Sequence, residues 1–110
     1  MMVDCIQVMT TTENRTHAER IAEVLVEKQL AACVQIIGPI SSIYRWRGRV
    51  EKTREWLCLL KTTKAAYPRI ETVIKEIHPY ETPEIVVVPI VAGSRDYLDW
   101  LTGQVDLKKG

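Results

Sequence analysis

Residues 33–46 read CVQIIGPISSIYRW, a stretch rich in β-branched and aromatic residues that favours an extended strand. The Arg47-Gly48-Arg49 segment that follows predicts a hairpin turn, since glycine takes positive φ values without strain. A returning strand is predicted at Glu55–Thr62, where apolar residues occupy both faces. Pro39 has no amide donor, so we expect a β-bulge or a sheet-edge position at Gly38-Pro39. A long β-hairpin therefore dominates the fold.

The length of this hairpin leads to a prediction about assembly. A strand from Cys33 to Trp46 reaches about 45 Å at ~3.3 Å per residue, whereas a compact domain of this size has a radius of gyration of about 13 Å. The hairpin is therefore predicted to project beyond its own domain as an arm. An exposed apolar arm with unpaired edges aggregates unless partner subunits cover it. We expect an obligate oligomer with Tyr44, Trp46 and Trp56 at the subunit interface.

The remaining segments alternate between strand and helix patterns. In chain order they predict a strand at Cys5–Thr11, an amphipathic helix opened by a capping box at Thr16 and Glu19, a helix at Tyr67–Ile77 ended by His78-Pro79, a buried strand at Glu84–Val91, and a short helix between Ser94 and Gly103. Residues 104–110 fit either a brief edge strand or a frayed end. The order predicts an α+β, ferredoxin-like βαββαβ fold with a short C-terminal helix, formed by one domain at 1–110.

Charge and composition exclude several classes of partner. The chain has 15 basic and 14 acidic side chains, and a net charge of +1 indicates neither a general nucleic-acid binder nor a binder of acidic membranes. The aromatic residues at 44–46 lie toward the hairpin tip, away from where an RNA-binding sheet stacks bases. The longest apolar run, 85–92, is far shorter than the ~20 residues of a membrane span. We expect a cytoplasmic protein with no nucleic-acid or membrane partner, because its first residues show no signal-peptide pattern.

Three cysteines fit that location. Cys5, Cys33 and Cys58 are odd in number, include no C-x-x-C spacing, and each lies in an apolar, strand-like stretch. This pattern favours reduced core thiols over metal ligands or nucleophiles.

Several motifs, taken together and in order, resemble the CutA family, also called divalent-cation tolerance proteins. The resemblance runs over roughly residues 4 to 102 and is carried by Ala31-Ala32-Cys33-Val34, Ser42-Ile43-Tyr44-Arg45-Trp46 with Gly48, Glu55-Trp56, Lys61-Thr62-Thr63, His78-Pro79-Tyr80-Glu81 with Pro83-Glu84-Ile85, and Tyr97-Leu98-Asp99-Trp100. It implies a ferredoxin-like fold assembled through the hairpins into a homotrimer similar to that of PII signalling proteins. It also implies a link to tolerance of divalent metals, copper above all, and no defining catalytic activity.

His78 is the strongest candidate metal ligand, because imidazole is a common ligand for copper and zinc. The resemblance implies that a strand-one residue accompanies this histidine, and Met9 occupies the corresponding position as a soft thioether. The sequence holds no H-x-x-x-H or C-x-x-C spacing, so a complete metal site is not indicated. The other interpretation of His78 is structural: an imidazole that bonds the last carbonyls of its helix.

A second candidate is a cleft near the subunit boundary, implied by the resemblance, in which Cys33, Lys61, His78, Tyr80 and Glu81 converge. An ammonium, a phenol and a carboxylate there suit a small anionic or zwitterionic ligand. The same residues also suit a hydrogen-bonded network that fixes the trimer. Catalysis is not indicated, because no nucleophile motif, phosphate loop or oxyanion donor accompanies them.

Two functional hypotheses follow. The first is a non-enzymatic homotrimer that responds to metal ions and binds copper or another divalent cation weakly. The second is a PII-like sensor that binds a small metabolite in the intersubunit cleft.

Overall fold

The structure is a computed structural model in which residues 4–106 are described. Within that range, four strands and three α-helices follow one another as β1 (Cys5–Thr12), α1 (Arg15–Glu27), β2 (Cys33–Trp46), β3 (Arg49–Thr63), α2 (Tyr67–Ile77), β4 (Val86–Pro89) and α3 (Arg95–Gln104), with a short 3₁₀ turn at Lys64–Ala66. The strands form one antiparallel sheet in the order β2-β3-β1-β4. The α+β architecture expected from the sequence is therefore confirmed.

The core lies between one face of the sheet and helices α1 and α2. Because directly paired residues of antiparallel strands share a face, Val8, Leu60 and Val34 line up on this side. They pack with the apolar sides of the helices, including Ile21 of α1 and Ile70 of α2. The core-facing row of β3 thus packs against the apolar sides of both helices.

The opposite face of the sheet, called here the open face, is only partly covered. Helix α3 packs over one end of it, where Leu101 contacts Cys5 and Ala32 in a small second cluster. The rest of the face presents apolar side chains, among them Met9, Ile37, Leu57, Leu59, Val86 and Val88. Ile37 is 48% exposed and Val86 45% exposed. A single chain therefore leaves a continuous apolar sheet surface toward solvent.

The β2–β3 hairpin projects as the sequence predicts, and the molecule measures 47 × 27 × 21 Å along its principal axes. Arg47 and Gly48 form a two-residue loop with φ values of 50° and 79°, the signature of a type I′ turn. The bulge expected at Gly38-Pro39 is present, because the pairing register shifts between Ile37 and Ile40. The arm, defined as residues 40–55, is mostly exposed.

Two predicted strand boundaries are wrong. Strand β3 begins at Arg49 and not at Glu55, because the tight turn extends the pairing into a polar stretch whose two faces are both solvated. Strand β4 is shorter than Glu84–Val91 and is exposed, since it lies at the sheet edge and pairs with β1 alone. Its apolar run therefore marks an uncovered face, where the sequence pattern predicted a buried strand.

The helix ends agree with the sequence except at the start of α1. Its N-cap is Asn14, whose side chain accepts from the His17 amide at 2.9 Å, in place of the predicted Thr16–Glu19 capping box. Helix α3 begins after the expected cap, Ser94. Gln104 closes α3, residues 105–106 form no strand, and the remainder of the ambiguous tail lies outside the described residues.

A cleft at the root of the hairpin arm

A cleft of about 530 Å³ extends from the root of the arm, at Glu55, toward its tip, at Trp46, and is closed on the other side by the loop that joins α2 to β4. Its arm side consists of Tyr44, Trp46 and Glu55, and its loop side includes Tyr80, Glu81 and Glu84. Tyr44 and Glu55 share the open face, because they lie at alternating positions of the paired strands. The volume falls in the range of small-molecule sites, which is about 300–1,000 Å³. The cleft thus combines two aromatic walls with three carboxylates.

Glu55 and Tyr80 form the innermost contact of the cleft. The Tyr80 hydroxyl donates to Glu55 Oε2 at 2.8 Å, and Glu55 is only 7% exposed. Burial and the neighbouring Glu55 carboxylate both raise the pKa of Tyr80 well above its ordinary value. The phenol therefore stays protonated at physiological pH and remains a donor to the carboxylate.

His78 holds the loop against β1. Its Nε2 lies 2.7 Å from the Thr11 carbonyl oxygen, and its Nδ1 lies 3.1 Å from the Tyr80 amide nitrogen. A carbonyl only accepts and an amide N–H only donates, so Nε2 carries the proton and the ring is neutral. The prediction that this imidazole bonds the last carbonyls of α2 is wrong, because the ring reaches across to β1. His78 positions Tyr80 and so shapes the cleft from beneath.

The structure brings together only part of the predicted cleft. Tyr80 and Glu81 line it, and His78 supports it. Lys61 instead donates to Gln35 Oε1, and Cys33 Sγ lies 3.6 Å from the Tyr97 hydroxyl. Lys61 lies six positions beyond Glu55 on β3, about 20 Å along the strand at ~3.3 Å per residue. Among residues 4–106 of one chain, the lining of the cleft therefore includes no ammonium group of the kind that favoured an anionic ligand.

The predicted interface residues also separate. Tyr44 and Trp46 lie on the arm, are 41% and 44% exposed, and line the cleft. Trp56 lies at the arm's root, opposite the bulge, and packs against the core of its own chain. The sequence alone grouped Trp56 with Tyr44 and Trp46 as an interface residue.

Sequence reasoning missed Glu55 as a functional residue. The available signal was its position in the alternation Glu55, Leu57, Leu59, where a lone carboxylate continues an apolar row. Its partner Tyr80 is 25 residues away, so no local spacing pointed to the pair.

The described residues of one chain form no complete metal site around the predicted ligand His78. Among residues 4–106, no group of three or more histidine, cysteine, aspartate or glutamate side chains is arranged to hold a metal ion. Both nitrogens of His78 already make hydrogen bonds. Met9 lies on the open face, paired with Leu59 and Val86. These residues of a single chain do not fit a resident metal.

The three cysteines form no disulfide within the part of the chain that the structure describes. Cys5 and Cys58 are buried as expected, whereas Cys33 is only half-buried beside Tyr97. Burial raises the pKa of Cys58 to about 11, so this thiol remains protonated and unreactive at neutral pH.

His78 predicts a specific pH dependence of stability. Burial lowers its pKa below the ordinary value of 6.5, although the Thr11 carbonyl and nearby Glu55 partly oppose the shift. Below pH 6.5 the unfolded chain binds a proton that the folded protein resists, so the free energy of unfolding falls as the pH is lowered toward the folded-state pKa. We expect urea unfolding between about pH 7.5 and about pH 5 to show this loss. A His78→Gln variant lacks that component, whereas His17→Gln retains most of it, because burial lowers the His78 pKa more than the neighbouring His17 does. Equal pH slopes in all three proteins would contradict this role.

No helix among the described residues is long and apolar enough to cross a membrane.

Comparison with known proteins identifies the family. The family model described as CutA1 divalent ion tolerance protein matches residues 6–104. The divalent-cation tolerance protein CutA of Thermus thermophilus is 49% identical over 94 residues, which cover 86% of this chain and 91% of the relative. Human protein CutA is 40% identical over 91 residues, covering 83% of this chain and 51% of its own length.

Solved structures agree with the sequence relatives. The divalent cation tolerance protein from Thermus thermophilus superposes with a TM-score of 0.91 at 45% identity, covering 93% of this chain and 99% of that one. CutA1 from Oryza sativa gives a TM-score of 0.93 at 33% identity, covering 96% and 97%. From its matched length, its identity to full-length relatives and its architecture, the chain belongs to the CutA1 divalent ion tolerance protein family.

Proposed function

We propose that this protein is a non-enzymatic CutA-type homotrimer with a ferredoxin-like fold that takes part in the cellular response to divalent cations. The observation that carries the assembly is the uncovered apolar surface formed by the open face and the arm. Ile43 and Val50 near the arm tip are 65% and 62% exposed, as is unusual for aliphatic side chains of a stable monomer.

The two edge strands of the sheet support assembly, as does the exposed apolar open face. Strands β2 and β4 are the two edges of the sheet, and both are apolar over several residues. An apolar edge is a template for pairing with another chain unless it is covered. Sedimentation equilibrium at micromolar concentration is the test: we expect one species of three times the 12.6 kDa chain mass. A stable, soluble monomer would overturn the proposal.

The cation response is proposed on the family's name and on the chemistry of His78. Copper at Nδ1 must displace the hydrogen bond from the Tyr80 amide, and residues 4–106 of one chain supply no metal-binding cluster beside it. Any copper site at His78 therefore recruits ligands from a second subunit, and we expect binding that is micromolar or weaker, about −8 kcal/mol or less favourable.

Titration calorimetry with Cu(II) and Cu(I) tests the copper proposal. We expect weak, saturable binding in the wild-type protein and none in His78→Ala, with His17→Ala as the matched control that keeps it. Tight copper binding that survives His78→Ala would place the metal elsewhere and refute this assignment.

The cleft at the arm root favours a second candidate, a PII-like sensor that binds a small metabolite. The cleft is large enough for such a ligand, is walled by Tyr44 and Trp46, and contains the buried polar pair Glu55–Tyr80. Thermal unfolding with a panel of anionic, neutral, zwitterionic and cationic metabolites tests this role, since a ligand of the folded state raises the unfolding temperature. If no compound raises it, the sensor role is excluded.

We further propose that the protein works in a reducing compartment such as the cytoplasm. Its three cysteines form no disulfide in the described chain, and such thiols persist where glutathione or thioredoxin keeps them reduced.

A further inference from the structure

Glu55 is a nearly buried acidic side chain with no basic partner among residues 4–106. Only 7% of its surface is exposed, and its only hydrogen-bond partner among residues 4–106 is the neutral Tyr80 hydroxyl, which contacts Oε2. No lysine, arginine or histidine of those residues lies within ion-pair distance of it. Its second oxygen, Oε1, has no partner in the described chain. Oε1 is not one of the fully buried unpaired side-chain atoms of that part of the chain, so it can be reached from the cleft, where a cation or a further donor would bond it favourably.

The carboxyl oxygen of Glu55 that Tyr80 leaves unbonded belongs to the lining of the cleft. The other side chains of that lining also suit a cation. Glu81 and Glu84 add two further carboxylates to the same cavity wall. Tyr44 contributes an aromatic face, which attracts ammonium groups and the methylenes attached to them. The Trp46 ring also lines the cleft, and the Arg47 guanidinium lies over it, 5.6 Å from its centroid. Of the residues that the structure describes, no basic side chain lines the cavity.

The dimensions of the cleft distinguish an organic cation from a metal ion. The three carboxylates are not grouped closely enough to ligate one metal, since no such cluster exists in residues 4–106. The cavity of about 530 Å³ is also much larger than a hydrated ion requires. Separated carboxylates around aromatic walls instead match a molecule with an extended carbon body and one or two cationic ends.

We propose that the arm-root cleft binds a small aliphatic amine, whose primary ammonium group donates to Glu55 Oε1 while its methylene chain extends along the arm against Tyr44. A second ammonium, where the ligand has one, faces Glu81 or Glu84. This inference rests on the proposed sensor role and names the chemical class of its ligand. The Tyr80 hydroxyl holds Oε2 and leaves Oε1 directed to the ligand.

Calorimetry on the assembled protein tests the inference with putrescine as the probe. Succinate, of similar length and opposite charge, and tetramethylammonium, which has the charge but no N–H donor, are the matched ligands. We expect saturable binding of putrescine, weaker binding of tetramethylammonium, which keeps the cation–π attraction but lacks the hydrogen bond to Glu55, and no measurable binding of succinate. In Glu55→Gln, which keeps the shape and an acceptor for Tyr80, affinity should fall about tenfold or more because a charge-assisted hydrogen bond is lost. Glu23→Gln, on the exposed side of α1, should bind like the wild type.

A second measurement keeps the test independent of the variant's folding. In NMR spectra of the wild-type protein, putrescine should shift the ring resonances of Tyr44, Trp46 and Tyr80. Equal affinity in Glu55→Gln, or shifts confined to other residues, overturns the inference. Absence of putrescine binding overturns it as well; a cationic side chain of a neighbouring subunit filling the cleft would give that result. Binding of succinate alone refutes the amine while leaving a metabolite sensor intact.

Discussion

Replacing Trp46 with aspartate is expected to convert the proposed trimer into monomers that aggregate. Trp46 lies near the end of an arm that one chain leaves uncovered, and its indole is 44% exposed there. Burial of an indole in a subunit interface contributes about 3–5 kcal/mol by comparison with large-to-small core substitutions. Desolvation of the new carboxylate adds to this loss at each equivalent position of the trimer. Sedimentation velocity at micromolar concentration should show the loss of the trimer directly.

Two controls make the Trp46→Asp result specific. Trp46→Phe keeps an aromatic side chain and should retain the trimer. His78→Ala disturbs the loop beneath the cleft but not the arm, so it should reduce assembly less than Trp46→Asp does. Intact trimers of equal stability in the Asp and Ala variants would show that the arm lies outside the interface.

Replacing Gly38 with alanine is expected to destabilise the protein, because the Trp56 ring of the opposite strand occupies the space that a Cβ atom at this position would need. A Cβ atom at Gly38 would lie 2.6 Å from Cδ2 of Trp56, well inside contact distance of a rigid indole. Trp56 packs against the core and has the Arg15 guanidinium 5.6 Å from its ring centroid, so the ring is not free to move. Overpacking of this kind costs about 1–3 kcal/mol, and it acts at the bulge where the arm leaves the sheet.

Gly103→Ala is the matched control, with the opposite sign. Among the described atoms, none lies within 4 Å of a Cβ placed there, and the residue is inside α3, so alanine should stabilise the protein by about 0.5–1 kcal/mol. Urea unfolding at one fixed protein concentration compares the variants, because the stability of an oligomer depends on concentration. In a Trp56→Leu background the indole ring is absent, so adding Gly38→Ala should cost less stability there than it does in the wild-type protein. A Gly38→Ala protein as stable as Gly103→Ala would contradict the close contact.

The hairpin was predictable because its determinants are local. Its alternation, the glycine in the turn and the proline at the bulge all act within a few residues. The start of β3 was not predictable in the same way. Residues 50–54 are mostly polar and lie on an arm solvated on both faces, so burial leaves no alternating pattern in them. The two-residue turn sets the pair Trp46–Arg49, and the pairing that continues from it extends β3 through these polar residues.

The candidate site was predictable only in part, because it depends on register over long distances. Tyr80 and Glu81 share one short segment, and their proximity to each other followed from the sequence. The depth of the cleft depends on Glu55, whose position opposite Ile40 is set by the bulge. Lys61 looked equivalent as a polar residue of the same strand, yet its distance along β3 carries it away from the cleft. The sequence gives the distance between two residues of one strand. Whether residues of different elements come into contact depends on how those elements pair and pack in three dimensions.

The arm supplies two walls of the cleft, and this sharing couples occupancy of the cleft to assembly by mass action. If subunit contacts fix Tyr44 and Trp46 in place, a ligand held between them and Tyr80 binds the assembled protein more tightly than the free chain. Thermodynamic reciprocity then requires that the ligand strengthen the trimer by the same factor. Dilution would weaken ligand binding, and ligand would protect the trimer against dilution. If both proposals hold, the protein would report the concentration of a small molecule through the fraction of its chains that are assembled.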